Sequence, residues 1–315
     1  MQLAVDRLQK QYKKKTAVAG VTFTLERGVC GLLGANGAGK TTLMRLLCGL
    51  VRPTAGTVRF DGVDVRDEAY RDLLGYMPQQ FGFYPEFTAA QYLACVAAAK
   101  GLPEKPARKR SLELLEQVNL IDVADRKVKT YSGGMKQRLG IAQALLNDPK
   151  IVVFDEPTAG LDPKERIKFK NIISQLSADR IVLLSTHILS DIEDIAVRVL
   201  IMRDGHLIEN GDTQSLIENV CGKVFECVLP PGRADELAKN FCIVNRREQV
   251  SGPKSGVLLR ILADAPPCEE AAAVPATLDD LYLYHFQDAH VQHEVFRRAH
   301  FRNIHAGLLT KRGEP

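Results

Sequence analysis

The sequence predicts an α/β fold followed by a smaller α+β domain, and three observations lead to this prediction. An apolar run at 29–33 leads into a glycine-rich loop and then into leucines at helical spacing. Over 150–210, apolar runs of strand length alternate with segments of helical spacing, as in folds with a parallel sheet. Past 211–223 the composition changes, and further strand and helix patterns follow between proline-rich breaks.

The length and composition are those of an ordinary globular protein. The chain has 315 residues, enough for about two domains. Its 45% hydrophobic and 25% charged residues argue against a disordered or collagen-like chain. The net charge of +4 is too small to indicate a nucleic-acid partner, and we expect none. No apolar run approaches the roughly 18–20 residues of a membrane span, and the N-terminus lacks the pattern of a signal peptide, so we expect neither.

The first elements follow from hydrophobic periodicity. Alternating apolar residues predict short strands at Leu3–Val5 and Val21–Leu25, and the run at 29–33 predicts a buried strand. Helical spacing with few β-branched residues predicts a helical insert over about 88–148. The predicted helices of this insert cover 89–100, 105–118 and 136–146.

The remaining elements divide between the main fold and the smaller domain. The main fold should continue with strands Ile151–Phe154, Ile181–Ser185 and Val199–Met202, helices at about 163–177 and 189–196, and a hairpin around 204–205. The smaller domain, at 222–290, should contain strands at 224–229 and 257–263 and helices at 233–240 and 277–286. Residues 291–315 form a basic tail that contains histidines.

The glycine-rich loop after the first buried strand has the pattern G-x-x-x-x-G-K-[ST], with a strand before it and a helix after it. Its glycines allow successive N–H groups to turn inward, at a helix N-terminus where anions are favoured. Lys40 adds a full charge for the β- and γ-phosphates, and Thr41 offers a hydroxyl to Mg²⁺. The sequence therefore predicts a nucleoside triphosphate site made of Gly34, Ala35, Asn36, Gly37, Ala38, Gly39, Lys40, Thr41 and Thr42.

An acid pair follows the predicted strand Ile151–Phe154. Asp155 and Glu156 would lie at the carboxyl edge of a parallel sheet, where ligands bind. There Asp155 would reach the Mg²⁺, and Glu156 would polarise a water for attack on the γ-phosphate. A solvent-facing pair is the plain alternative, and the phosphate loop makes it the weaker one.

A second anion-binding helix start is predicted at Ser132, Gly133 and Gly134. Ser132 is a good N-cap, and the two glycines expose N–H groups. Taken by itself, this pattern would more often be a simple structural cap.

Together these motifs resemble the nucleotide-binding subunit of an ATP-binding cassette (ABC) transporter. Seven motifs occur in the family's order over about 1–215: Tyr12, Gly34–Thr42, Gln79, Ser132–Gly134, Asp155 with Glu156, Asp162 and His187. The fold that this resemblance implies is a P-loop NTPase cassette. It combines a RecA-like core, an antiparallel β subdomain and a helical subdomain, the last at about 88–148.

The resemblance also implies roles for the remaining motif residues. Tyr12 would stack on adenine, and Gln79 would join the Mg²⁺ or the attacking water. His187 would contact the γ-phosphate, and Asp162 would lie at an interface between two cassettes. For each of these, an ordinary packing role remains the alternative.

The signature departs from the usual L-S-G-G-Q, because Tyr131 and Met135 replace its first and last residues. This puts ribose-side recognition there in doubt. The Y-S-G-G-M form resembles the single-cassette exporter ATPases that move drugs, antibiotics, lipids or ions.

In this family the signature caps the ATP of a second cassette. The resemblance therefore implies an ATP-dependent dimer, most simply of two copies, attached to a membrane permease at the cytoplasmic face. A non-transport ABC ATPase and an importer subunit are the alternatives. The C-terminal module would be regulatory or dimer-supporting, or only a structural appendage.

One segment after Gln79 is rich in aromatic residues: Phe81, Phe83, Tyr84 and Phe87. Gly82 and Pro85 predict that it is a loop. It would either dock the membrane subunit or form the core between two lobes.

Overall fold

The computed structural model describes residues 1–80, 82–186, 188–249 and 256–286. The chain divides into two compact units, Met1–Thr213 and Gln214–Pro315. No helix in these described ranges is long and apolar enough to cross a bilayer.

The first unit is built on a six-stranded sheet of order β10-β9-β3-β8-β7-β6. Its strands are β3 (Gly28–Leu33), β6 (Leu74–Met77), β7 (Ile151–Asp155), β8 (Ile181–Ser185), β9 (Ala196–Arg203) and β10 (His206–Asp212). Five strands are parallel, and β10 returns antiparallel to β9. Every residue of β7 and β8 is buried, because helices and a second sheet cover both faces.

A four-stranded antiparallel sheet of order β2-β1-β4-β5 covers one face of the unit. Its strands are β1 (Leu3–Tyr12), β2 (Lys15–Leu25), β4 (Ala55–Phe60) and β5 (Val63–Asp64). Helix α1 (Lys40–Leu47) shares one apolar core with both sheets, and its Leu43, Met44 and Leu46 are fully buried. This packing fixes the helix whose first turn follows the glycine-rich loop.

Two further helices stabilise this arrangement. In α2 (Glu68–Asp72), Tyr70 is buried and its hydroxyl donates to the Leu47 carbonyl at 2.8 Å, which satisfies an acceptor at the end of α1. Helix α6 (Pro163–Leu176) packs on the opposite face of the sheet, where the rings of Phe169 and Phe154 meet edge to face at 5.9 Å.

The helical insert contains α3 (Ala89–Ala99), α4 (Glu104–Gln117) and α5 (Gly133–Ala144). The three helices predicted there are confirmed, to within a few residues at each end. Thr88 and Gln91 form a capping box at the start of α3. Leu93, Leu115 and Leu139 are fully buried within this helical segment.

The sequence-based expectation of a helix at 189–196 is wrong. The structure has only a short 3-10 turn at Leu189–Asp191, and β9 already begins at Ala196. The buried Asp191 carboxylate accepts hydrogen bonds from the hydroxyls of Thr158 and Thr186, which draws the segment into a turn. Strands β4 and β6 were not predicted, and β1 extends beyond Leu3–Val5 as far as Tyr12.

The second unit contains one antiparallel sheet of order β12-β13-β11-β14. Its elements are α7 (Thr213–Glu218), which begins at the last residue of the first unit, β11 (Val224–Leu229), α8 (Pro231–Ala238), β12 (Cys242–Gln249), β13 (Gly256–Leu262), β14 (Ala272–Ala273) and α9 (Leu278–Phe286). Leu229, Leu259, Ile261 and Ala234 belong to its apolar core. The two predicted strands and the two predicted helices are present, whereas α7, β12 and β14 were not predicted.

Arg260 of β13 ties α9 to this sheet. Its guanidinium donates to both oxygens of Asp280 at 3.0 and 2.6 Å and to Glu226 at 2.9 Å. A fourth bond reaches the carbonyl of Pro275 at 2.7 Å. The hydrogen bonds to Asp280 raise the pKa of Arg260 further above its usual range. Since Asp280 is fully buried, this carboxylate depends on the arginine for its counter-charge.

We expect Arg260→Met to destabilise the second unit by about 3–5 kcal/mol, because it leaves the Asp280 carboxylate buried without its cation. Chemical denaturation of the full chain, followed by circular dichroism, measures this. The matched control is Arg246→Met, which breaks an exposed pair with Asp235 at 2.6 Å and should cost under about 1 kcal/mol. If the two variants lost the same free energy of unfolding, the larger stabilising role given to Arg260 would be wrong.

Candidate nucleotide site

Three chain segments converge at the carboxyl edge of the six-stranded sheet. Strand β8 lies between β3 and β7, and all three are parallel. In this register Ser185 stands opposite Leu32 on one side and Asp155 on the other. The glycine-rich loop and the acid pair therefore leave the sheet on either side of Ser185.

The loop at 34–39 has a backbone that favours glycine. Gly34, Gly37 and Gly39 have φ values of +152°, +85° and +107°. A Cβ on Gly39 would collide with the carbonyl oxygen of Ala17, which belongs to β2. The antiparallel sheet thus approaches the loop so closely that a side chain at Gly39 does not fit.

Lys40 folds back across this loop. Its Nζ donates to the Gly34 carbonyl at 2.6 Å and to the Ala35 carbonyl at 3.4 Å, and it lies 4.0 Å from Glu156 Oε1. The side chain is only 7% exposed. Burial lowers the pKa of the Lys40 ammonium, and the charges of Glu156 and Asp155 act in the opposite direction. The loop therefore holds a cation within reach of any anion that enters it.

The acid pair is held by Ser185. The Ser185 hydroxyl donates to Asp155 Oδ1 at 2.7 Å and accepts from the Glu156 amide at 2.9 Å. Glu156 has φ +50°, a left-handed conformation that costs a non-glycine residue about 1–3 kcal/mol. This turn carries the Glu156 side chain toward Lys40, while Asp155 stays buried at the end of β7.

A second buried network lies beside the acid pair. Asp191 accepts a hydrogen bond of 2.5 Å from Thr158 and one of 3.3 Å from Thr186. The amide of Ile188 in turn donates to the Thr186 hydroxyl at 2.9 Å. These bonds fix the residues on both sides of position 187. His187 itself lies outside the described residues.

Gln79 is exposed and follows β6 at the same edge of the sheet. It lines a surface groove of about 430 Å³ together with Phe83, Gly133 and Lys136. The structure thus brings Gln79 beside the start of α5.

At the start of α5, Ser132 is the N-cap and its hydroxyl accepts from the Met135 amide at 3.2 Å. Ser132 and Gly133 are exposed. Tyr131 is instead buried, and its hydroxyl donates to the Val123 carbonyl at 2.7 Å. The unusual first residue of the signature is therefore a packing residue of the helical segment.

Two other predicted site residues, Tyr12 and Asp162, contact residues that do not belong to this edge. Tyr12 is 44% exposed at the end of β1, and Lys10 Nζ stands 4.9 Å from its ring centroid. Asp162 is the N-cap of α6, where its Oδ1 accepts from the Glu165 amide at 2.9 Å. Asp162 therefore also stabilises the start of α6.

The donor set at the edge suits Mg²⁺ bound together with phosphates. Within the described ranges, no group of three or more His, Cys, Asp or Glu side chains could hold a metal ion unaided. Thr41 lies in the first turn of α1, and Asp155 is the last residue of β7. A hydroxyl and a carboxylate are the hard oxygen ligands that Mg²⁺ takes, usually one or two from the protein with phosphate oxygens and waters.

Sequence reasoning missed Ser185, Thr158 and Asp191 as parts of this site. The signal for Ser185 was a polar residue at the end of an otherwise apolar strand. The link between Thr158 and Asp191 spans 33 positions and left no pattern in the sequence.

We expect Ser185→Ala to destabilise the first unit by about 1–3 kcal/mol, because a buried carboxylate and a strained turn each lose a hydrogen bond. Urea denaturation of the full chain measures this. Ser177→Ala is the control: it removes an exposed bond of 2.8 Å to the Ser174 carbonyl and should change stability by no more than about 0.5 kcal/mol. A Ser185→Ala variant as stable as this control would contradict the role given to Ser185.

Comparison with known proteins gives a consistent result. Residues 18–159 match the model of the ABC transporter family. The chain is 40% identical over 224 residues to the ABC transporter ATP-binding protein YxlF of Bacillus subtilis, covering 71% of this chain and 75% of that protein. It is 36% identical over 294 residues to the Nod factor export ATP-binding protein I of Paraburkholderia xenovorans, covering 88% of this chain and 94% of that one.

Solved structures agree with these relatives. The ADP conformation of the ATP-binding cassette MJ1267 matches with a TM-score of 0.65 at 25% identity, over 70% of this chain and 94% of that chain. A dimeric post-hydrolysis state of the cassette MJ0796, bound to ADP and phosphate, matches with a TM-score of 0.60 at 27% identity, over 67% and 98%. The chain belongs to the ATP-binding subunits of ABC transporters, and it is an ATPase of the P-loop cassette fold.

Proposed function

We propose that this ATPase powers the export of a substrate through a separate membrane permease, at the cytoplasmic face of the cell membrane. One observation carries the assignment of ATP hydrolysis to this site. Lys40 Nζ of the glycine-rich loop lies 4.0 Å from Glu156 Oε1 of the acid pair, although the two motifs are separate in the sequence. Export is supported by the Y-S-G-G-M signature and by several relatives, in Ralstonia and Burkholderia species, that are named Nod factor export ATP-binding proteins.

ATP would enter with its phosphates at the loop 34–39. Lys40 would exchange the carbonyls of Gly34 and Ala35 for the β- and γ-phosphates, since a phosphate is the better partner for an ammonium. Backbone N–H groups of the loop and of Lys40, Thr41 and Thr42 at the start of α1 would bind the remaining phosphate oxygens. The exposed ring of Tyr12 would stack on the adenine.

Hydrolysis needs a base, and Glu156 is the candidate. While Lys40 contacts the loop, its charge also attracts the Glu156 carboxylate. Once the phosphates take Lys40, Glu156 can accept a proton from a water aimed at the γ-phosphate. Thr41 and Asp155 would hold Mg²⁺, which neutralises phosphate charge when bound. Gln79 would join the Mg²⁺ or the attacking water, and His187 would contact the γ-phosphate.

We also propose that two copies of this chain form the working ATPase. Ser132 and Gly133 are exposed at the start of α5, where a phosphate of a second cassette can bind. Asp162, at the start of α6, would lie at the same interface. The dimeric cassette MJ0796, 27% identical to this chain, supports the arrangement. ATP would stabilise this dimer and hydrolysis would loosen it.

The aromatic segment after Gln79 is the proposed docking surface for the permease. Tyr84 is 56% exposed, and its ring lies 5.0 Å from that of Phe87. Glu86 anchors the segment through Lys127 at 2.9 Å and Lys129 at 2.8 Å. Phe83 instead packs on Tyr92 of α3 at 4.9 Å. The segment thus packs on α3 through Phe83 and exposes the rings of Tyr84 and Phe87, which suits a partner helix. Phe81 lies outside the described residues.

The proposed domains are a cassette at 1–215, a helical subdomain at about 88–148 and an accessory domain at 222–290. The compact unit Met1–Thr213 supports the first boundary. The tail at 291–315 lies outside the described residues. The accessory domain would regulate the cassette or support its dimer.

We expect Glu156→Gln to retain ATP binding and to lower steady-state hydrolysis by roughly 10²–10⁴-fold, because the amide cannot accept the proton. Phosphate release measures the rate, and calorimetry measures the binding. The variant should also elute as an ATP-bound dimer in size exclusion with Mg²⁺ withheld. Hydrolysis within a few-fold of the unmodified protein would show that another group is the base.

We expect Tyr84→Ala to fold, to hydrolyse ATP and to lose co-purification with the membrane protein encoded in the neighbouring reading frame. Its exposed ring contributes little to the core, so melting should hardly change. Phe83→Ala is the matched control and should lower the melting temperature, because its ring packs on Tyr92. Partner binding that survives Tyr84→Ala would refute the docking surface, and a neighbouring gene without membrane spans would count against transport itself.

A further inference from the structure

The starts of α5 and α6 are joined by one cluster of charged side chains. Arg138 of α5 forms an ion pair with Glu165 of α6, and their side chains are only 9% and 17% exposed. Lys168 binds the other oxygen of the same carboxylate at 2.8 Å. The cluster thus contains one carboxylate between a mostly buried arginine and a lysine that is 38% exposed.

The absence of a side chain at Gly134 makes this contact possible. A Cβ on Gly134 would stand 2.6 Å from Glu165 Oε2 and 2.8 Å from its Cγ. The Glu165 carboxylate therefore lies against the first turn of α5, where a negative charge is favoured by the helix dipole. Helix α5 has no acidic residue in its own first turn, so Glu165 of α6 supplies that charge.

The backbone of Glu165 completes the connection. Its amide donates to the capping carboxylate of Asp162 at 2.9 Å. Its side chain meanwhile holds Arg138 and covers Gly134. One residue therefore links Asp162 to the segment Ser132–Gly134, although the two lie about 30 positions apart in the sequence.

We propose that Arg138 and Glu165 are positioning residues that hold Ser132–Gly134 and Asp162 as one rigid surface toward the second cassette. This inference rests on the proposed dimer. Neither residue belongs to the phosphate loop, so neither is needed for a single cassette to bind ATP. The two cations also offset the Glu165 charge beside a helix start that is to receive a phosphate.

The first test measures dimer formation in the Glu156→Gln background. Glu165→Gln keeps the shape of the side chain and removes its charge, and Arg138→Gln removes the other partner. Each should weaken ATP-driven dimerisation about tenfold or more, measured by size exclusion over a range of protein concentrations. ATP affinity of the single cassette, measured by calorimetry below the dimerisation range, should stay within about twofold.

A double variant and a control separate positioning from general stability. Arg138→Gln combined with Glu165→Gln should lose no more dimerisation than either change by itself, since both break the same pair. The control is Arg180→Gln, which breaks the ion pair of another mostly buried arginine, 11% exposed, with the exposed Asp148 at 2.9 Å. It should leave dimerisation unchanged. The inference would be overturned if Arg180→Gln weakened dimerisation as much as the single variants do. It would also be overturned if the losses of dimerisation in the two single variants added in the double variant.

Hydrogen exchange of the single cassette tests whether Glu165 links α6 to the start of α5, and it does not require the dimer. Glu165→Gln should speed exchange of the Met135 amide in α5, which is bonded to Ser132, as well as that of amides in α6. A change confined to α6 would overturn the inference. If the coupling is present and the Glu156→Gln protein does not dimerise with ATP, it is the proposed dimer that fails.

Discussion

The contact of the Lys40 ammonium with the Gly34 carbonyl and the Glu156 carboxylate is the interaction on which the site depends. An ammonium that is almost fully buried is costly, and here its partners come from two chain segments more than a hundred positions apart. Those segments meet only because β3 and β7 flank β8 in one parallel sheet. The apolar core around α1 and the two sheets holds this geometry.

Among the uncharged side chains of the site, Ser185 makes the corresponding link between chain segments. It is the last residue of β8, and its hydroxyl satisfies a buried carboxylate on one side and a strained backbone amide on the other. Strain at Glu156 is tolerated because the surrounding bonds over-determine the turn. The neighbouring Thr158–Asp191–Thr186 network fixes the next stretch of the same edge in the same way. The polar residues of the edge are thus held in place by buried hydrogen bonds.

In the helical segment, buried aromatic side chains position residues that are exposed on the surface. Its surface features, Ser132 and Tyr84, are presented by buried anchors: Tyr131 packs beneath the signature, and Tyr92 lies beneath the aromatic segment. The ion pair of Arg138 with Glu165 then connects the start of α5 to α6, a helix that packs on the parallel sheet. Through this ion pair the start of α5 is tied to a helix that itself packs on the parallel sheet.

The sequence by itself determined the features that depend on neighbouring residues. The glycine-rich loop with Lys40, the acid pair at the end of an apolar strand and the helices of the insert all followed from spacing and periodicity, and the motif order indicated the family. Tertiary structure decided what depends on distant partners. The helix expected at 189–196 is a turn because Asp191 bonds to Thr158 and Thr186. Likewise Tyr131 is a packing residue, and Gly134 makes room for Glu165. Periodicity reports which residues share a face of one element, whereas a hydrogen bond across two elements is set by sheet register and helix packing, which no local pattern contains.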